Sequence, residues 1–350
     1  MGMPSINITF TELAKSVIER GGSKNVGLII PAVSQTGTLI LGPGDSIPDY
    51  ISQEHREQIE LAMIGGEEKP KKIIVHFAGE SFSDIDTELE KMQDENISYL
   101  AMSGTGDGVN EKVIAFIKTN REAGGTMKAV LANQPADHEG IINFASSVTK
   151  GEEEYSAEKY CSRIAGLLAG TPITSSCTYF SLPELSDCSR LSKDDADRAI
   201  DSGKLIVFYD SGDVRIARAV NSFQTITGKK GDQYKKIKIV DVMDTIATDI
   251  KKTIHDEWIG KKVNTYDNKC LLVSAIQGYF SDLVDQGVLS GADVEVDIDA
   301  NKKYLKSVGV DTADMSYEEI KRANTGEEVF LVASIKIVDA IEDITIQITI

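Results

Sequence analysis

The segment Ser103-Gly104-Thr105-Gly106-Asp107-Gly108 is the part of this 350-residue chain that most invites chemistry. It follows a strand-like run and precedes a helix-like one. Glycine-rich loops that cradle phosphate against a helix N-terminus occupy that place in α/β proteins. A dinucleotide fingerprint beginning at Gly104 needs a third glycine at position 109, where Val109 stands, and no Walker lysine follows. The spacing favours a plain turn, with a nucleotide-binding α/β enzyme using residues 103–108 as the alternative reading.

The other reactive side chains do not converge. His55, His76, His138 and His255 show no metal-ligand spacing, and Cys161, Cys177, Cys188 and Cys270 include no C-x-x-C pair. The cysteines read as buried thiols of a reducing compartment. No G-x-S-x-G elbow or H-E-x-x-H helix is present. Glu152–Glu154 and Asp194–Asp195 read as solvated faces or cap positions. Asp241, Asp244 and Asp249 interrupt the apolar stripe of a helix and are expected to face water. Trp258 continues that stripe as core. The expectation is no catalytic residue, no cofactor and no metal.

Acidic residues outnumber basic ones by 55 to 37, a net charge of -18, which disfavours nucleic acid and anionic membranes as partners. Hydrophobic residues make up 41% of the chain, enough for a sizeable core. The start MGMPSINITF has neither a basic nor an apolar signal region, so synthesis and folding in the cytoplasm are expected. No apolar run approaches the roughly 20 residues of a membrane helix.

The elements that would position any site fall into five stretches. Residues 1–24 form an N-terminal arm: Ile6, Ile8 and Phe10 alternate with polar residues over 4–10, and helix-like sequence follows. Residues 25–70 read as a small α+β region of two strands and a helix. From 71 the order becomes strand, helix, strand, helix, strand, which implies a parallel sheet, and this α/β region is taken to 225. It includes a helix over 156–170, a helix capped by Ser192, and a hairpin of KLIVFYD and VRIARAVNSF. Residues 226–342 form a C-terminal core. A long helix carries Val242, Met243, Ile246, Ile250, Ile254 and Trp258, a second helix spans about 269–285, and strands ADVEVDID and EEVFLVASIKIVDA flank a short helix at 316–323. Residues 343–350 form a C-terminal arm. The fold class is mixed α+β and α/β, multidomain: a parallel α/β middle region plus a C-terminal α+β core sheet with a helical hairpin and strand-forming arms.

The arms carry a physical demand. Ile344, Ile346, Ile348 and Ile350 lie on one face of an alternating strand, and such a strand must bury that face and pair its backbone. Pattern alone leaves two routes open, tucking into its own sheet or adding to a sheet of another copy. Exposed edges are normally protected by lysine or proline. Residues 5–10 and 344–350 contain neither, which favours exchange with another copy.

Over 185–350 the chain resembles the tail sheath proteins of contractile phages, including defective prophages and R-type bacteriocins. GKLIVFYDSGDVRIARAVNSFQTIT is similar to the family's strand pair ending in Arg-x-x-Asn-(Ser/Thr)-hydrophobic-x-Thr, here Arg218, Asn221, Ser222, Phe223 and Thr225; Phe223 stands where leucine is common. VDVMDTIATDIKKTIHDEWIGKKVNTYDNKCLLVSAIQGYFSDLVDQGVL resembles its long helix, "GK" break, loop and second helix. The resemblance implies a structural subunit that polymerises with itself as stacked, hexameric rings around an inner tail tube, meets baseplate and tail terminator proteins, and contracts to drive the tube through a cell envelope. It implies localisation in a phage tail or bacteriocin particle. A tube or baseplate protein is a third reading, against which the chain's length argues. The resemblance also suggests that Lys321 and Arg322, at the end of the short helix, meet acidic residues of the tube; a solvated helix end is the competing reading.

Overall fold

In a computed structural model of the chain, residues 18, 24–32, 35, 37–104 and 108–349 are described. The chain divides into two compact units, Met1–Arg20 with Ala247–Val338, and Gly21–Ile246 with Asp339–Ile350.

The larger unit is built from β1 (Asn25–Ile30), β2 (Thr38–Leu41), α1 (Gln53–Ile64), β3 (Lys72–Phe77), α2 (Ile85–Met92), β4 (Tyr99–Met102), α3 (Val109–Glu122), β5 (Lys128–Ala132), β6 (Ile141–Phe144), β7 (Val148–Lys150), β8 (Glu153–Tyr155), α4 (Ala157–Ala169), β9 (Asp187–Cys188), α5 (Lys193–Asp201), β10 (Lys204–Leu205), β11 (Val207–Asp210) and β12 (Asp213–Ile216). Seven strands form one sheet in the order β10-β6-β5-β4-β1-β3-β2. All neighbours in it are parallel except the β2–β3 edge pair.

Both faces of this sheet are covered, so its strands are apolar throughout rather than alternating. Val26, Leu28, Ile73, Val75, Tyr99 and Val130 face a core shared with α1 and α4. Ile29, Ile74, Leu100, Met102, Ala129 and Leu131 face α2 and α3. Helix α4 is buried almost all round, and Gly166 lets α1 approach it: a Cβ there would lie 2.1 Å from the Ala62 carbonyl oxygen.

The parallel strand–helix alternation from 71 is as the sequence implies. The separate α+β region at 25–70 is not a layer of its own, because β1 inserts between β3 and β4 and β2 extends the same sheet. The hairpin of β11 and β12 is present, but its second strand ends at Ile216, and 217–225 continue as irregular backbone. The strands β6 to β9 went unforeseen from sequence.

Helix α6 (Ile237–Glu257) contributes its residues up to Ile246 to this unit. Here the structure corrects the sequence. Asp241 and Asp244 are buried, not solvated. Lys24 reaches Asp241 at 2.6 Å, and the Tyr99 hydroxyl donates to its other oxygen at 2.6 Å. Lys128 lies 3.1 Å from Asp241 and 2.5 Å from Asp244, and Arg121 donates through both terminal nitrogens to the Asp244 carboxylate at 3.0 Å. Tyr99 and Lys128 open strands β4 and β5, and Lys24 precedes β1. The helix is thus fixed by ion pairs to the strand starts. Burial alone would raise the Asp241 pKa, but Lys24, Lys128 and the Tyr99 hydroxyl outweigh it and hold the carboxyl below its usual range.

The smaller unit contains the rest of α6, then α7 (Tyr266–Asp285), β13 (Leu289–Val296), α8 (Ile298–Ser307), α9 (Tyr317–Arg322) and β14 (Leu331–Ile337). The two long helices and the final strand pair match the sequence expectation; α8 does not appear in it. Asp249 is also buried, accepting from the Tyr279 hydroxyl of α7 at 2.9 Å. Lys269 donates to Thr325 at 2.9 Å, and Asn264 donates to the carbonyls of Gly326 and Glu328 at 2.8 and 2.9 Å, fixing the loop before β14. Trp258 is core, as expected.

Replacing Asp241 with alanine leaves Lys24 and Lys128 without one buried partner and should cost about 3–5 kcal/mol, read as a lowered midpoint in chemical denaturation. Because the folded pKa is depressed, the contribution of Asp241 is present at neutral pH and fades only as pH falls below the ordinary aspartate value of 3.8. An acid titration of the melting temperature should show that loss in the native chain and a smaller one in Asp241→Ala.

Candidate functional site

The residues singled out for chemistry remain dispersed. Residues 105–107 of the glycine-rich segment lie outside the described residues; Gly104 and Gly108 hold positive φ values of 106° and 71°, as a turn requires. The cleft beside Gly104 is lined by Met102, Asn110, Val130, Leu131, Ala132, Glu158 and Cys161, with a carboxylate and no cation to meet a phosphate. His76 is enclosed between Glu88 at 2.8 Å and Glu95 at 2.7 Å, one on each ring nitrogen. Among the described residues no three His, Cys, Asp or Glu side chains group as a metal site, and no helix is long and apolar enough to cross a membrane. Cys161, Cys177 and Cys188 are buried and free; burial raises the pKa of each, to about 12 for Cys177. Cys270 is half-buried.

Two other features stand out, one in each unit. In the smaller unit, β13 and β14 form a two-stranded antiparallel sheet. Leu289, Val294 and Val296 of β13 are buried against the helices. Their cross-strand partners on the same face, Ile337, Ala333 and Leu331, are not buried. Ile335 on that face is half-buried, and Val332 on the opposite face is 45% exposed. The helical cover therefore stops short of β14. Among the described residues β14 pairs only with β13, so its outer edge carries unpaired backbone groups beside a half-covered apolar face.

In the larger unit, the segment after β14 is pinned at 339–343 and released beyond it. Glu342 is half-buried as a residue, but its side chain is only 7% exposed. One carboxylate oxygen accepts from the Thr178 hydroxyl at 2.6 Å; the other lies 3.5 Å from both Arg218 and Lys236. Arg218 also donates to Asp343 at 2.7 Å, and Lys236 is paired with Asp339. The hydrogen bond to Asp343 and the nearby acidic groups raise the Arg218 pKa; for Lys236, burial opposes the charge but Asp339 and Glu342 outweigh it.

Ile344, Ile346 and Ile348 are then 75%, 76% and 81% exposed, and residues 344–349 carry no strand assignment. Ile350 and the N-terminal Ile6, Ile8 and Phe10 lie outside the described residues. Lys321 and Arg322 end α9, whose start is closed by a capping box of Ser316 and Glu319. Arg322 is 65% exposed, 3.7 Å from Glu318, with its guanidinium over the Tyr266 ring at 4.7 Å.

The segment starting at Arg218, singled out in the sequence, proves to be a set of staples. Asn221 donates to the Tyr234 carbonyl at 2.7 Å and accepts from the Phe223 amide at 3.0 Å. Ser222 donates to the His138 carbonyl at 2.9 Å, and Thr225 donates to Asp137 at 2.5 Å. The grip of Arg218 and Lys236 on Glu342 was missed. The one sequence signal for it is the acidic break Glu342-Asp343 ahead of an uncharged strand.

Among the described residues, the unpaired edge of β14 and the exposed segment 344–349 are surfaces on which a further chain could pair. The comparisons make the class specific. Residues 78–222 match the family model for the phage tail sheath protein central domain, and residues 229–350 that for the phage tail sheath C-terminal domain. The tail sheath protein of Clostridium phage phiCD119 is 37% identical over 99% of this chain and 99% of its own length. The chain belongs to the phage tail sheath family.

Solved structures agree in fold. A sheath tail protein from Desulfitobacterium hafniense superposes with a TM-score of 0.73 at 15% identity, over 95% of this chain and 100% of that one. The helical sheath of the anti-feeding prophage in its contracted state gives 0.71 at 14% identity, over 100% and 99%.

Proposed function

We propose that the chain is the structural subunit of a contractile tail sheath, polymerising with itself as stacked, hexameric rings around an inner tube. The observation that carries this reading is the C-terminal segment. It presents Ile344, Ile346 and Ile348 to solvent immediately beyond a buried anchor. In this reading residues 343–350, and residues 4–10 at the other end, add as strands to the β13–β14 sheet of adjacent copies. β14 supplies the open edge, and the isoleucines complete the apolar face on which Leu331 and Ile335 are half-covered.

Donor and acceptor are different segments of the chain in this reading, and a contact of that kind is heterologous and can propagate instead of closing on itself. Each backbone bond contributes about 0.5–1.5 kcal/mol, small singly and large over a lattice. Such a mesh holds subunits together while side-chain contacts between rings break and re-form as the sheath shortens and drives the tube through an envelope. Baseplate and tail terminator proteins meet the two ends of the polymer. The subunit is made in the bacterial cytoplasm, acts in the phage or bacteriocin particle, and has no catalytic role.

Deleting residues 343–350 should leave a soluble protein whose melting temperature is within a few degrees of the full chain, and which forms no tubes by electron microscopy. Sheaths of normal appearance from the deletion would contradict strand exchange.

Arg322 is committed to Glu318 and the Tyr266 ring on one side and remains accessible on the other. With Lys321 it forms the basic end of α9, and this end is assigned in the proposal to an acidic surface of the tube. Lys321→Glu combined with Arg322→Glu should abolish co-assembly with tube protein in sedimentation while sparing the fold. Undiminished co-sedimentation would remove α9 from the tube contact.

A further inference from the structure

We infer that Glu342, held by Thr178, Arg218 and Lys236, is a clasp that fixes where the C-terminal strand leaves the subunit, and so sets how far that strand reaches to a neighbour. The inference rests on the strand-exchange reading and assigns positioning residues to it.

The geometry separates a held root from a free strand within a few residues. A carboxylate with 7% exposure is expensive to bury unless it is matched. Here a hydroxyl donates to one oxygen and two cations stand at 3.5 Å from the other. The Thr178 hydroxyl that donates to Glu342 accepts from the Ala219 amide at 3.0 Å, so the donor is itself oriented by backbone. Arg218 and Lys236 sit on either side of the Asn221 staple. Their positions are set by the core of the larger unit rather than by the arm.

Asp339 and Asp343 extend the grip to both ends of the segment. The Asp343 pair is exposed on the acid side, at 79%, and contributes little alone. Glu342 is the buried centre of the arrangement. Past it every second residue is a solvent-exposed isoleucine.

The chain passes back from the smaller unit to the larger one at Asp339. If that segment were loose, the donated strand would hang from Ile337, the last residue of β14. Six further residues, 338–343, would become slack, adding up to about 20 Å of reach at 3.3–3.6 Å per residue. A lattice whose spacing depends on strand exchange would then lose its fixed subunit-to-subunit distance. Placing the anchor at Glu342 confines the linker to the residues that follow it.

Two measurements on the full chain test this: Glu342→Ala and Glu342→Gln, each alone and with Arg218→Ala. In electron paramagnetic resonance of the dilute chain with Cys270→Ser, a nitroxide placed at Ile341→Cys, a position exposed enough to label, should be restrained while one at Ile346→Cys moves freely. Glu342→Ala should raise the mobility of the label at 341 to that of the label at 346, without moving the melting temperature by more than a few degrees. Glu342→Gln, which keeps the acceptor for Thr178 but loses the charge, should fall between.

In electron micrographs Glu342→Ala should still polymerise, because the strand is intact, but as sheaths of irregular or increased ring spacing. Arg218→Ala added to Glu342→Ala should have little further effect, as expected for one shared interaction. A native label at 341 as mobile as one at 346, or Glu342→Ala sheaths with native ring spacing, would overturn the clasp. The 343–350 deletion separates the two ideas. If the deletion abolishes tubes and the Glu342 variants assemble with native spacing, strand exchange stands and the clasp falls. If the deletion assembles normally, strand exchange itself falls.

Discussion

A segment that exposes an isoleucine at every second residue leaves an apolar face to bury and a backbone to pair, and the proposed assembly rests on that demand. Ile344, Ile346 and Ile348 find no cover on the body they leave. Among the described residues β14 pairs only with β13, and its apolar face is buried only on the β13 side. In the proposed exchange each copy carries both halves of one interaction, a donor segment and an acceptor edge. Charge is a poor alternative for holding such copies together. Each carries a formal -18, so close approach is repulsive except where opposite charges are matched. Strand pairing is neutral, directional and insensitive to salt, and it adds a fixed geometry that a charge patch does not.

The body of the larger unit is built to stay fixed. Its sheet is covered on both faces, and the start of α6 is tied to the beginnings of β1, β4 and β5 by Lys24, Tyr99 and Lys128 and to the end of α3 by Arg121. Breaking any one of these buried pairs leaves an uncompensated charge, so the arrangement resists change. Thr178, Arg218 and Lys236 belong to the same unit, so the root of the arm is referred to a rigid frame.

Much of this was legible in the sequence because local patterns dominate there. The helices at 109–122 and 237–257, the cap at Ser192 and the hairpin turn at Ser211-Gly212 follow from periodicity and turn chemistry that no distant residue modifies. What escaped depends on distant pairings. Asp241 and Asp244 look solvated on a helical wheel because their cations sit more than 100 positions away in the chain. β1 reads as part of a small separate region because the insertion of a strand between two later ones leaves no local mark. β6 to β9 are two to four residues long, too short for a periodic signal. The arm was visible as an alternating strand, but its anchor was not, since Thr178, Arg218 and Lys236 converge on Glu342 only in three dimensions.

The central claim is that the C-terminal strand of one copy pairs with β14 of another. Disulfide trapping tests it most directly: Ile346→Cys paired with Ala333→Cys, which lies on the same face of β14 as Leu331 and Ile335, in a chain whose half-buried Cys270 is replaced by serine. Oxidation of assembled particles should give a ladder of covalent multimers on a denaturing gel, and oxidation of the dilute monomer should give none. Particles that assemble yet yield only monomeric or internally bridged chains would contradict it.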